Sequence, residues 1–209
     1  MNPLKIGDEM ELEQFMQDLA SAAPTPSGGG ASALSGATAA ALASMVVNLT
    51  QGKRKYAAYA EELQQILVAT QQLLTDLLAQ IPADAAAFAP LAHAYSIPKS
   101  DPQRTVILEA ALVQAASAPL VLLRQLATLV PLLETLLTKG SQIMQSDVGV
   151  AAAACRSALE GAILNVYVNT QLMQDRQQAA TLNAAAAVLV NDNVIRCQRV
   201  YQQVAAKLQ

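Results

Sequence analysis

The sequence has no tryptophan, one histidine, two cysteines and only 3% aromatic residues in a chain of 209. Each shortage narrows the possibilities. So few rings leave no platform for stacking single-stranded bases, and a formal net charge of −3 offers no cationic face to a duplex. Nucleic acid is not an expected partner. Cys155 and Cys197 lack metal-ligand spacing, so both read as reduced core thiols, with no disulfide and no metal site expected. His93 has neither a nucleophile nor metal partners nearby in the sequence and reads as a helix-face residue. Lys5, Asp8, Glu9, Glu11 and Glu13 come early and no secretory apolar core follows them, so a cytoplasmic protein is expected. Period-two alternation is missing as well, which leaves no predicted strands.

What is present is alanine. It inflates the 53% apolar content and brings little volume, so the composition favours helices in close contact over a thick aromatic core. The length suits one domain, residues 1–209.

Charge is absent from one long stretch: no ionisable side chain occurs between Asp18 and Lys53. Residues 31–49 are close to the roughly 20 needed to cross a bilayer, but they are mostly Ala, Ser, Gly and Thr and lack an aromatic belt. A membrane span is therefore not expected. Within this stretch Pro24 and Pro26 exclude helix, Ser27–Gly30 form a flexible loop, and a helix over about 31–51 follows. Such a junction presents unpaired N–H groups and the positive end of a helix dipole, suited to a carboxylate, a phosphate or a polarised carbonyl. It lacks the Lys-Ser/Thr ending of a Walker loop, and glycines kept only for packing would look the same. That helix has a large-residue face (Leu34, Leu42, Met45, Leu49) and a small-residue face (Ser32, Gly36, Ala40, Ala43) that another helix can approach closely.

An amphipathic first helix is predicted over 8–20 and a leucine-striped third over about 56–80. Pro82 is then expected to open a fourth, with Asp84 in its first turn. Asp84 is a lone carboxylate beside an apolar run, AAAFAPLAHAY. It reads either as a partner for the helix dipole or as a general base whose pKa is raised by burial. Residues 104–138 form a helix kinked or broken at Pro119 and Pro131, Ser146-Asp147 cap the next, running to about 175, and the last covers about 176–208. Asn165 and Asn169 recur with Gly161 on one apolar face and must be satisfied by neighbouring helices or a ligand. The cluster GKRKY at 52–56 reads either as a solvated helix cap or as a landing point for an anionic tail. The fold class is all-α, a bundle of about seven helices, several of them long. Its small-residue faces suit a homodimer.

Five stretches in order, FMQDLASAAPTPSGGGASALSGA at 15–37, NLTQGKRKY at 48–56, DAAAFAPLAHAYSIPK at 84–99, SDVGVA at 146–151 and NVYVN at 165–169, resemble the formimidoyltetrahydrofolate cyclodeaminase and methenyltetrahydrofolate cyclohydrolase family. The resemblance implies an all-helical homodimer that acts on the one-carbon bridge between N5 and N10 of a tetrahydrofolate substrate, with no tightly bound cofactor. It assigns the catalytic carboxylate to Asp84. The substrate site it implies is lined by Gly28, Gly29, Gly30 and Ser32, with Asp147, Asn165 and Asn169. Lys53, Lys55 or Lys99 would meet the glutamate carboxylates. The common loop pattern of the family is Pro-Gly-Gly-Gly-Ser, whereas here Ser27 takes the first Gly position and Gly30 the Ser position, leaving Ser27 or Ser32 to supply the hydroxyl. Cyclohydrolase chemistry is expected first, since no formiminotransferase segment is attached. Cyclodeaminase chemistry, or a non-catalytic binding or assembly protein on the same scaffold, is the alternative.

Overall fold

The computed structural model describes residues 5, 6 and 10–209. Six α-helices carry the chain: α1 Leu12–Leu19, α2 Gly28–Asn48, α3 Ala60–Ser96, α4 Arg104–Lys139, α5 Gln145–Thr170 and α6 Arg176–Leu208. Of the expected first helix, residues 8 and 9 lie outside the described residues, and the helix begins later than the acidic run suggests. A two-residue antiparallel pairing, β1 Lys5–Ile6 with β2 Met10–Glu11, precedes it. It is too short to leave a periodicity in the sequence.

The expected break at Pro82 is absent. Helix α3 continues through Pro82 and Pro90, and α4 through Pro119 and Pro131. A proline inside a helix costs about 3 kcal/mol. Here each helix is pinned along its length by leucines buried on both sides of its prolines, such as Leu77 and Leu91 in α3 and Leu112 and Leu133 in α4. Tertiary packing outweighs the local penalty.

Helix α2 is the inner element, packed against α3, α4 and α5. Its small face is the one turned inward: Ser32, Gly36, Ala40 and Ala43 are buried, whereas Leu34, Leu42 and Met45 are only half-buried and Leu49 is exposed. Two sets of contacts fix its register. Against α3, Ser44 donates to Thr70 at 2.8 Å, Gly36 faces Leu77, and Gly29 faces Asp84. Against α5, Gly36 faces Ala158, Ser32 faces Gly161, and Gly28 faces Asn165. As one number in each set rises the other falls, so α2 runs antiparallel to both neighbours. The N-terminus of α2 must then meet the later part of α3 and the end of α5.

By length and apolarity both α2 and α4 could cross a membrane. The same apolar character serves here to build the core, with Val46, Val47, Leu123, Leu126 and Leu129 wholly buried. Cys155 and Cys197 are free and buried between α5 and α6. The neighbouring Cys197 thiol, and then burial, push the Cys155 thiol well above its ordinary range.

A Cβ at Gly36 would come within 2.6 Å of the buried Leu126 Cδ2. Gly36→Val should therefore lower stability by about 1–3 kcal/mol through overpacking. Chemical denaturation that gave an unchanged midpoint would show that α4 has room to withdraw.

Candidate active site

The glycines do not form a loop before α2. They are its first turn, with Ser27 at the N-cap and the N–H of Ala31 closing onto the Ser27 carbonyl at 3.0 Å. The backbone can come this close to α3 because residue 29 has no side chain: a Cβ there would fall within the Asp84 carboxylate. At Gly28 a Cβ would reach 3.5 Å from Asn165 Oδ1. Gly30 lies under the ring of Phe15 from α1 and beside Pro26, which closes the far side of the turn.

Because α3 runs unbroken through Pro82, Asp84 is not in a first turn and is no dipole partner of its own helix. It projects instead toward the N-terminus of α2. The Ser27 hydroxyl donates to Asp84 Oδ2 at 3.3 Å, and the Gly30 amide also favours the anion. Burial opposes both and is the larger effect, so the Asp84 carboxyl titrates above its ordinary value.

A cavity of about 190 Å³ opens beside this carboxylate. Its polar edge is Ser27, Asp84, Asn165 and Asn169, and its apolar wall includes Phe88, Leu91, Tyr95 and Leu172. Asp84, Phe88, Leu91 and Tyr95 share one face of α3 because they recur at three- and four-residue intervals. A second apolar cluster, with Leu91, Leu112 and Met173 at its centre, backs this wall. The rim is tied down by Glu109, which accepts from the Gln174 and Asp175 amides at 2.8 and 2.9 Å.

The two asparagines have their nitrogens committed. Asn165 Nδ2 donates to the Gly161 carbonyl at 2.9 Å and Asn169 Nδ2 to the Asn165 carbonyl at 2.8 Å. Among the described residues nothing donates to either Oδ1, so both are acceptors open to a ligand's N–H groups.

The structure thus brings Gly28, Gly29, Gly30, Asp84, Asn165 and Asn169 to one place. Ser32 lies just behind, its hydroxyl donating to the Gly28 carbonyl at 2.7 Å and facing Gly161 rather than the cavity. Asp147 is in the first turn of α5, 18 residues before Asn165, which sets it about 27 Å away along the helix. Lys53 and Lys55 follow the opposite end of α2, about 30 Å from its glycines. There Lys53 donates to Ser141 Oγ at 3.2 Å and Lys55 to Gln142 Oε1 at 2.8 Å, clasping the turn between α4 and α5. Within one chain these three residues do not join the others. Lys99 is exposed on the turn after α3, at the same end of the bundle as Asp84.

Tyr95, Leu91 and Leu172 were not singled out from the sequence. The signal for the first two was the spacing from Asp84, hidden by the expectation that prolines interrupt α3.

An all-helical chain with a glycine turn facing a half-buried carboxylate matches the sequence model of one family, formiminotransferase-cyclodeaminase, over residues 11–188. The chain belongs to that family. A methenyltetrahydrofolate cyclohydrolase from Methylorubrum extorquens is 38% identical over 202 residues, covering 94% of this chain and 97% of that protein. The formimidoyltransferase-cyclodeaminase of Rattus norvegicus is 32% identical over 171 residues, 80% of this chain but 32% of the longer relative. The formiminotetrahydrofolate cyclodeaminase of Thermotoga maritima superposes with a TM-score of 0.87 at 28% identity, over 96% of this chain and 98% of that one.

The raised Asp84 pKa makes a stability prediction. A carboxyl whose folded pKa exceeds its unfolded one binds its proton more readily in the native state, so stability is greatest at acid pH and falls as pH rises through the interval between the two values. Asp84→Asn removes that loss. Its Tm should exceed the wild-type value at neutral pH, and the gap should close toward acid. Equal Tm values at pH 7 would contradict the dominance of burial.

Proposed function

We propose that the chain is a folate one-carbon enzyme acting at the N5–N10 bridge, a methenyltetrahydrofolate cyclohydrolase that converts 5,10-methenyltetrahydrofolate and water to 10-formyltetrahydrofolate. The observation that carries this reading is the half-buried Asp84, titrating above its ordinary value on the edge of a cavity with amide acceptors on one side and an apolar wall on the other. The match along nearly the full length of the Methylorubrum cyclohydrolase supports it.

In this mechanism the pterin amide and ring N–H groups donate to Asn165 and Asn169 Oδ1, with the ring plane against Phe88. Water adds to the methenyl carbon as Asp84 takes one of its protons. The adduct collapses with cleavage of the bond from carbon to N5, which recovers a proton from Asp84, while the hydroxyl oxygen releases its own and becomes the formyl carbonyl. One proton is released overall. A base whose pKa lies closer to the working pH than an ordinary carboxylate accepts and returns a proton more readily.

A second reading is kept by the close superposition on the Thermotoga cyclodeaminase. There the same carboxylate would take the N10 proton during ring closure and pass it to departing ammonia. Assays with methenyl- and formimidotetrahydrofolate side by side separate the two: loss of the methenyl absorbance marks the first, its appearance with ammonia the second. A protein that only binds would shift the spectrum without turnover.

The proposed enzyme is a cytoplasmic homodimer of one-domain subunits. Exposed apolar side chains along α5 and α6, among them Leu164 at 64%, Val168 at 49% and Val188 at 78% exposure, suit such an association. Lys53, Lys55 and Asp147 enter the folate site in this reading only from a second subunit. Light scattering should give twice the chain mass, and a monomer with full activity would remove that role.

Asp84→Asn should lower kcat by about 10²–10⁴-fold with little change in folate affinity. In the wild type kcat/KM should fall toward acid as Asp84 protonates, with a midpoint above that of an ordinary carboxylate. Full activity of the variant would remove Asp84 from the reaction.

A further inference from the structure

Serine at a helix N-cap ordinarily turns its oxygen inward to accept from the second or third N–H of the helix. Ser27 occupies the N-cap of α2, with extended backbone at φ −129°, yet its side chain makes no such bond. Its hydroxyl points across to α3 and donates to Asp84 Oδ2. The carboxylate lies against the first turn of α2, where a Cβ at Gly29 would fall within it, and the Gly30 amide at the third helical position favours its charge. Serine and aspartate are tied to each other across 57 residues of sequence.

The contact has a direction. A capping oxygen is an acceptor and could be replaced by any oxygen, whereas the hydroxyl here is used as a donor. Ser27 and Asp84 both border the larger cavity, and Gly29 and Asp84 border a smaller recess behind it. The carboxylate is therefore held between a hydroxyl on its open side and a bare backbone on its closed side. Among the described residues no other side chain donates to it, and α2 supplies no ionisable group. Among the described residues Tyr95 is the only other titratable side chain lining either cavity.

We propose that Ser27 is a positioning residue for the reaction: released from capping α2, its hydroxyl fixes the Asp84 carboxylate from the cavity side and keeps it ready as a proton acceptor. The inference rests on the role of Asp84 given above. Loss of the hydroxyl leaves the backbone of α2 intact and the carboxylate both freer to rotate and harder to ionise.

The test compares Ser27→Ala and Ser27→Thr with the wild type in the full-length protein. Ser27→Ala should lower kcat about 10-fold, as expected for a hydrogen bond to a charged group, with a smaller change in KM. The acid limb of its kcat/KM profile should move to higher pH, because the lost donor favoured the anion, while Tm stays at the wild-type value at acid pH and falls slightly at neutral pH, where the anion has lost its donor. Ser27→Thr retains a hydroxyl and should restore both rate and profile. Carboxyl carbon NMR of substrate-free protein should show the Asp84 titration moving up in Ser27→Ala and back in Ser27→Thr, a readout independent of turnover. An unmoved acid limb together with an unmoved Asp84 titration overturns the proposal, as does a loss of rate accompanied by a fall in Tm at acid pH, where Asp84 is protonated in both proteins. Full activity in Asp84→Asn would instead strike the role of Asp84, a failure that the carboxyl titration tells apart from this one.

Discussion

Helix α2 touches α3, α4 and α5 at once because its inward face is built of alanine, serine and glycine, and the antiparallel register it takes between α3 and α5 places everything else. Small side chains allow close approach, but three glycines in one turn cost up to about 1 kcal/mol each in helix propensity. The cost is outweighed by the large aliphatic side chains that neighbouring helices drive into the space, such as Leu77 and Leu126 over Gly36. Once Ser44 is bonded to Thr70 and Ser32 sits on Gly161, residues 28 and 29 can face only Asn165 and Asp84. The site is a consequence of helix packing.

At that site three forces act on one carboxyl group. The hydroxyl of Ser27 and the amide of Gly30 favour its charge, and withdrawal from water opposes it more strongly than the two together. A fully exposed aspartate would be too weak a base near neutrality, and a fully buried one without donors would never ionise. The half-buried position with two donors lies between these limits. The neighbouring asparagines are neutral amides, each with an N–H donated to a backbone carbonyl and an oxygen left open.

Much of this was legible in the sequence. The uncharged segment, its glycine entry and its small face announced an inner helix with an exposed backbone at its start, and a lone aspartate beside an apolar run stood out as either a dipole partner or a base held against a wall. The paired amides were recognisable because asparagines four apart on an apolar helix require partners. Other features escaped for physical reasons. Pro82 signals a helix start locally, and only the buried leucines on either side override it, so the continuous face from Asp84 to Tyr95 was hidden. Motif order along the chain also says nothing about which end of an antiparallel helix a residue occupies, and Asp147, Lys53 and Lys55 lie at the end away from the carboxylate. The donor role of Ser27 was invisible because a serine before a helix looks like a cap.

The first turn of α2 has three residues with poor intrinsic tendency to stay helical, no acidic side chain of its own, and a carboxylate from another helix set against it. Whatever neutralises that carboxylate removes a negative charge from the positive end of α2 and loosens the turn, so the order of residues 28–31 is coupled to the ionisation of a group on α3. Solvent exchange of the amide protons in that single turn, after correction for the intrinsic pH effect, reads out the charge on the carboxylate without any substrate present.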